Sequence, residues 1–278
     1  MTERKRRSTT ARPRANRLDG KTWTRNSISV WSDLRKTPEE LRLKHPALFP
    51  AALASRIIEC FAAPGDKVVL DPFAGLGSTI IAAAQAGLEG VGVELNRDFA
   101  DVALQRLAAV VGEDGPAPLL HVADARKLPQ YVEPESVDLV ITSPPYWDIL
   151  TRRRSADRKA IRNYGKAAAD IGRITAYEDF LDALQEVFAQ VFAALRPGKY
   201  CVPIVMDLRK HGRFYPFHAD LSERLESIGF IYDDMIIWDR RQEYNNLRPL
   251  GYPSVFRVNK VHEFVLIFRK PAAQRAAD

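Results

Sequence analysis

The stretch VVLDPFAGLGSTIIAAA, residues 68–84, decides the fold. It reads as a short apolar run, a turn holding Gly75 and Gly77, then small and apolar residues at helical spacing. A strand with no polar face is buried on both sides, the habit of a parallel sheet covered by helices. Glycines let the chain turn sharply and let a ligand approach backbone amides. The helix N-terminus that follows favours a negative group. No Gly-Lys-Ser/Thr follows, so this is not a P-loop, and the spacing is not the dinucleotide Gly-x-Gly-x-x-Gly.

The pattern repeats outward. Residues 90–95 (GVGVEL) form a second strand closed by Glu94, and Asn96 caps a helix over 97–111. Residues 119–123 read as a weaker third strand closed by Asp124, and 137–142 as a fourth ending at Ser143. Helices are expected at 51–62, 177–195 and 219–228, with strands at 200–206, 230–238 and 263–269. This alternation is an α/β domain over 21–270. An acid at the end of the second strand accepts hydrogen bonds from ribose hydroxyls in folds of this kind. Asp124 is placed to meet an adenine amino group. A plain Gly-rich turn with capping acids is the competing reading. Residues 23–31 (WTRNSISVW) alternate, as an edge strand or an extended arm would.

Composition bounds the rest. No apolar run reaches membrane-span length and no signal-peptide pattern is present, so a cytoplasmic protein is expected. Cys60 and Cys201 are far apart and suit a reducing setting. No His/Cys cluster has metal-ligand spacing, and no metal is expected. Residues 1–20 carry a net +5 and 151–173 a net +6, leaving −5 for the rest of a chain whose total is +6. Such patches suit a phosphate backbone. Residues 1–20 read as a disordered basic tail, solvated or touching nucleic acid, and 271–278 as a short second tail.

DPFAGLGST with Glu94 resembles the S-adenosylmethionine site of amino-directed DNA methyltransferases. HPALFP, residues 45–50, is similar to the short motif those enzymes place before this loop, where it helps enclose the cofactor's methionine end. The resemblance covers about residues 23–270. It implies a single Rossmann-like methyltransferase domain with a seven-stranded, mostly parallel sheet whose last strand is antiparallel. It implies S-adenosyl-L-methionine as cofactor, held by His45, Pro46, Phe49, Pro50, Asp71, Pro72, Phe73, Ala74, Gly75, Gly77, Glu94 and Asp124.

TSPPYW, residues 142–147, carries the chemistry. Proline has no N–H and pushes its predecessor to extended geometry, so Ser143-Pro144-Pro145-Tyr146 is a stiff exit from a strand. It offers acceptors, the Ser143 hydroxyl and the Pro144 carbonyl. Holding both hydrogens of an exocyclic amine aims its lone pair at an electrophilic methyl group. Tyr146 offers a ring for stacking on a planar base, which must leave the duplex to reach it. In the resembling family, Ser at this position points to cytosine N4, and Asp or Asn to adenine N6. Adenine N6 methylation, RNA methylation and a non-catalytic DNA-binding subunit are the alternatives. C5 methylation needs a cysteine preceded by proline, and neither Cys60 nor Cys201 has one.

Two insertions are candidates for reading DNA. Residues 148–173 contribute Arg152, Arg153, Arg154, Arg158 and Lys159, and residues 240–260 contribute Arg240, Arg241, Asn245 and Arg248. A packed hairpin loop is the other reading of the second insertion. A restriction-modification partner and a homodimer stay open.

Overall fold

The computed structural model describes residues 14–43, 48–111, 119–148, 169–243, 249–250, 252–255 and 257–273. In chain order the elements begin α1 (Gly20–Asn26), β1 (Val30–Trp31), α2 (Pro38–Arg42), α3 (Ala51–Phe61), β2 (Val68–Asp71) and α4 (Ser78–Gln85). Next come β3 (Glu89–Glu94), α5 (Arg97–Ala108), β4 (Leu119–Val122), β5 (Val137–Thr142) and α6 (Tyr177–Ala194). The last are β6 (Leu195–Val205), β7 (Leu208–Lys210), β8 (Arg213–Tyr215), α7 (Phe217–Ile228), β9 (Ile231–Asp239) and β10 (His262–Arg269).

One sheet runs in the order β1-β9-β10-β6-β5-β2-β3-β4. β2 is parallel to β3 and β5, β3 to β4, and β5 to β6. β10 is antiparallel to both of its neighbours, β6 and β9. The seven expected strands are therefore present, with antiparallel β10 inserted beside β6. An eighth, two-residue strand, β1, adds to the β9 edge in parallel.

Period-two alternation sends successive side chains to opposite layers. Val69, Leu139, Ile141, Val202 and Ile204 join a core with Leu53, Ala54 and Ile57 of α3. Leu70, Val140, Cys201 and Val205 join a second core with Phe180, Leu184, Val187, Phe188 and Val191 of α6. Each fully buried Leu, Val or Phe stabilises by about 1.5–3 kcal/mol, which fixes the register and so the strand ends. The chain builds from β2 out to β4, then crosses back to β5 on the far side of β2. At that reversal the connections diverge and a crevice opens at the carboxyl ends. Asp71, Glu94, Val122 and Thr142, which end four parallel strands, all lie on that edge.

The N-terminal part departs from expectation. Residues 20–26 are helical because Asp19 caps them, its carboxylate accepting the Lys21 and Thr22 amides at 2.8 and 2.9 Å. Only Val30 and Trp31 pair as an edge strand. The expected disordered tail does not reach residue 20. Asn16 is buried and its side-chain amide donates to the Cys60 carbonyl at 3.0 Å. No described helix is long and apolar enough to cross a membrane.

Candidate active site

The turn after β2 is held from below by Asp71. This carboxylate is fully buried and accepts the Thr142 hydroxyl (2.6 Å), the Thr79 hydroxyl (2.8 Å) and the Phe73 amide (3.0 Å). It therefore ties β2 to β5, to α4 and to its own turn. Burial pushes its pKa up to about 6, against the pull of those three donors.

Above it the chain turns through Gly75 and Gly77, at φ +53° and +81°, where a side chain would be strained. Glu94 fixes the turn. Its two oxygens accept the Gly75 amide at 2.8 Å and the Asn96 amide at 2.7 Å. Each carboxylate oxygen keeps a further lone pair for a ligand. Burial, the largest effect, pushes Glu94 up to about 7. Ser78, the first residue of α4, donates its hydroxyl to the Phe49 carbonyl at 2.8 Å and so docks residues 48–50 on the turn. Glu40 supports the same segment from behind. It accepts the Ala51 amide at 2.8 Å and pairs with Arg106 at 3.3 Å.

Asp124 follows β4 and grips Arg126, accepting from its Nη2 at 2.7 Å and from its main-chain amide at 3.0 Å. Burial works to raise its pKa, but the Arg126 hydrogen bonds and charge win and hold it low, so it is an anion.

Across the crevice, Ser143 and Pro145 stand on the same wall system. A cleft is lined by Leu48, Phe49, the turn from Pro72 to Leu76, Ser78, Glu94, Asp124, Ser143, Pro145 and Asp170, among others. The glycine turn and the proline corner thus share one edge of the sheet and one cavity. Most of the lining is apolar, with acids at the strand ends, which suits a ligand carrying hydroxyls and a positive charge.

The sequence model of the DNA methylase family matches residues 2–105 and 137–277, most of the chain. The chain belongs to the DNA methylase family. It is 32% identical over 166 residues to Type II methyltransferase M.MjaI of Methanocaldococcus jannaschii, covering 53% of this chain and 54% of that protein. It is 38% identical over 91 residues to Type II methyltransferase M.ScaI of Streptomyces caespitosus, 31% of this chain and 29% of that one. DNA adenine methyltransferase YhdJ of Escherichia coli K12 is 43% identical over 63 residues, 23% and 21% of the two chains. The matched stretches span from about a fifth to about half of these relatives. Among solved structures, the S-adenosyl-L-methionine complex of a DNA modification methylase from Thermus thermophilus is 31% identical over 56% of each chain, at a TM-score of 0.39.

With the DNA methylase family established, the expected site residues sort as follows. Phe49, Pro72, Phe73, Ala74, Gly75, Glu94, Asp124, Ser143 and Pro145 line the cleft. Pro50, Asp71, Gly77 and Pro144 do not: Pro50 precedes α3, Asp71 is the clamp beneath the turn, Gly77 precedes α4, and Pro144 is buried. His45 and Pro46 lie outside the described residues. Tyr146 departs from expectation. It is 4% exposed and off the cleft wall, so its ring face is covered, while its hydroxyl donates to Glu263 at 3.1 Å. Trp147, at φ +49°, is folded under the corner with the Lys210 ammonium 3.4 Å from its ring centroid.

Of the candidate DNA contacts, Arg152, Arg153, Arg154, Arg158, Lys159, Asn245 and Arg248 lie outside the described residues. Arg240 is a correction: its guanidinium is largely buried and paired with Glu263 and Glu243, so it is part of the body. Arg241 is exposed but chelated by Asp239 at 2.6 Å. Cys60 and Cys201 are buried thiols, Cys60 pushed up to about 11 by burial and Cys201 also raised, which leaves no thiolate nucleophile at either position. Among the described residues no cluster of His, Cys, Asp and Glu could hold a metal.

Three residues were missed. Glu40 was readable from Thr37-Pro-Glu-Glu40, a capping-box pattern that the structure forms. Glu263 stands alone as an acid in the apolar run HEFVLIF, a signal of a partnered buried charge. Asp170 lies near the end of the basic insertion, with no pattern to mark it.

Proposed function

We propose that this chain transfers the methyl group of S-adenosylmethionine to the exocyclic amine of a DNA base turned out of the duplex, cytosine N4 in preference to adenine N6. The carrying observation is that Glu94, Gly75, Asp124, Ser143 and Pro145 line one cavity at the carboxyl edge of the sheet. The donor set fits the cofactor. Glu94 has lone pairs for two ribose hydroxyls, Asp124 is an anion beside the adenine position, and Leu48 and Phe49 give apolar cover.

When bound, S-adenosylmethionine supplies an electrophilic methyl group whose departure leaves the electron pair on sulfur. Ser143 Oγ, on the cleft wall, accepts one amine hydrogen, and the main-chain carbonyl of the adjoining Pro144, whose ring is buried, would take the other, turning the nitrogen lone pair toward that methyl. The amine gains the methyl and releases one proton to solvent water, so the charge lost by the sulfonium leaves as that proton. No covalent enzyme intermediate is needed, so orientation and electrostatics supply the acceleration. Ser143 at the first position of the motif supports cytosine. A relative named as an adenine methyltransferase supports the second reading, adenine N6.

Incubating the protein with S-adenosylmethionine and DNA, then digesting to nucleosides for mass spectrometry, separates the readings. N4-methyl-2′-deoxycytidine is expected. N6-methyl-2′-deoxyadenosine selects the alternative, and transfer only to RNA supplied in a parallel reaction moves the substrate class. Absence of S-adenosylmethionine binding leaves only a non-catalytic role.

A further inference from the structure

A chain of polar groups runs from the cleft into the body. Ser143 Oγ lies 3.2 Å from Tyr146 Oη, and Tyr146 donates to Glu263 Oε2 at 3.1 Å. Glu263 is ion-paired with Arg240, which also pairs with Glu243 at 2.6 Å, and Glu243 meets Lys36 at 3.3 Å. Tyr146 and Glu263 are each 4% exposed. A buried array of this kind is costly unless fully partnered, and its members are not exchangeable for apolar residues without leaving partners behind.

The array has a direction. A guanidinium only donates, and a carboxylate only accepts. Arg240 therefore holds Glu263 as an acceptor, and Tyr146 has one hydroxyl proton, which goes to Glu263. In the contact between Ser143 and Tyr146 the proton must then come from Ser143. With its own proton turned inward, Ser143 Oγ shows only lone pairs to the cleft.

We propose that Glu263 is a positioning residue: acting through Tyr146, it fixes the Ser143 hydroxyl as an acceptor for the substrate amine. This rests on the methyl-transfer reading above and adds two residues to it. Tyr146 acts through its hydroxyl, and Glu263 never touches substrate.

Glu263→Gln tests the direction with almost no change of shape. Arg240 draws the amide oxygen, so the amide NH2 faces Tyr146, which must accept. The Tyr146 proton then turns to Ser143, and the Ser143 proton points into the cleft against the amine hydrogens. The expected result is a fall in kcat of about ten- to a hundredfold, the scale of one hydrogen bond replaced by a repulsion. KM for DNA and the calorimetric Kd for S-adenosylmethionine stay within about twofold, because neither ligand meets Glu263 directly. Tyr146→Phe cuts the chain at its middle and lowers kcat severalfold. In that background Glu263→Gln adds nothing, since the message no longer reaches Ser143. Losses that multiply in the double variant, or a wild-type kcat in both single variants, overturn the proposal. A parallel loss of S-adenosylmethionine affinity and melting temperature in Glu263→Gln, with Tyr146→Phe unaffected, assigns Glu263 to stability alone and also overturns it. A wild-type protein that binds S-adenosylmethionine and methylates no nucleic acid defeats the underlying reading. Methylation by the wild type with an undiminished Glu263→Gln defeats this inference only.

Discussion

Glu94 accepts the Gly75 amide at 2.8 Å, so the acid that ends β3 holds the turn that follows β2. The same carboxylate faces the cleft, which couples the shape of the turn to the ionisation of one buried group.

That coupling predicts pH dependence. Glu94 sits at about 7, above its ordinary 4.5, because burial disfavours its charge. The folded chain keeps a proton that the unfolded chain sheds between these values, so stability falls as pH rises through that window. Asp71, at about 6 against 3.8, has the same sign and acts slightly lower. Ribose hydroxyls donate to an ionised acceptor, so S-adenosylmethionine binding tightens between about pH 6 and 8 and releases a proton. Titration calorimetry in buffers of different ionisation enthalpy measures both. Glu94→Gln flattens the profile, and a wild-type Kd independent of pH would remove Glu94 from the binding site.

Asp71 predicts a different phenotype from its neighbours in the same motif. Asp71→Ala leaves the Phe73 amide and the Thr142 hydroxyl without their acceptor in a site with no exposure. The expected loss is about 2–4 kcal/mol. Each kcal/mol lowers the melting temperature by roughly 2–4 °C at this chain length. Calorimetric melting checks it. A variant that melts with the wild type and loses only S-adenosylmethionine affinity would show Asp71 to be a ligand contact instead.

How far the sequence carries the reader depends on whether a signal is local. The β2 turn and α4 were legible because strand, glycine and helix follow within one short stretch. Asp71 shows the limit. Its position in the motif was plain, but only tertiary packing of Thr79 and Thr142 around it distinguishes a clamp from a ligand contact. Tyr146 and Arg240 show the same limit. Sequence marks an aromatic and a cation, and both were assigned outward, while Glu263, 117 positions from Tyr146, draws them inward. In residues 23–31 an alternating pattern lost to the Asp19 cap, a stronger local effect at the helix start.

Gly92 predicts that crowding under the turn weakens the cofactor site. A Cβ at Gly92 would stand 2.9 Å from Leu120 Cδ1 and 3.0 Å from Ala74 Cβ. Gly92→Ala must push Ala74, a cleft residue, at a cost of about 1–3 kcal/mol. Both melting temperature and S-adenosylmethionine affinity should fall. Gly20→Ala, where an added Cβ meets nothing within 4 Å, is the control and should change neither.

Ser143→Ala predicts loss of rate with retention of cofactor. Ser143 lines the cleft, and its hydroxyl meets Tyr146 Oη at 3.2 Å. A fall in kcat of about a hundredfold is expected, the scale of removing one preorganised polar group from a transition state. Single-turnover rates and calorimetry separate the two effects. Transfer at the wild-type rate would exclude Ser143 as an acceptor.

The basic run Arg152, Arg153 and Arg154 predicts the salt dependence of DNA binding. These residues lie outside the described part, and charge alone carries the prediction: residues 151–173 hold a net +6 in a chain otherwise balanced or acidic beyond its first 20 residues. Each phosphate neutralised contributes about 0.9 to the slope of log K against log salt. Replacing all three by Gln should lower that slope by up to about three and weaken binding by a similar factor on any sequence. Arg241 offers the contrast. Its side chain is 73% exposed but chelated by Asp239, so Arg241→Gln should move the slope by less than about one. Arg240 is no alternative contact, being held between Glu263 and Glu243. Fluorescence anisotropy over a salt series gives the slopes. An unchanged slope in the triple variant would mean that the run is solvated and that the duplex is gripped elsewhere.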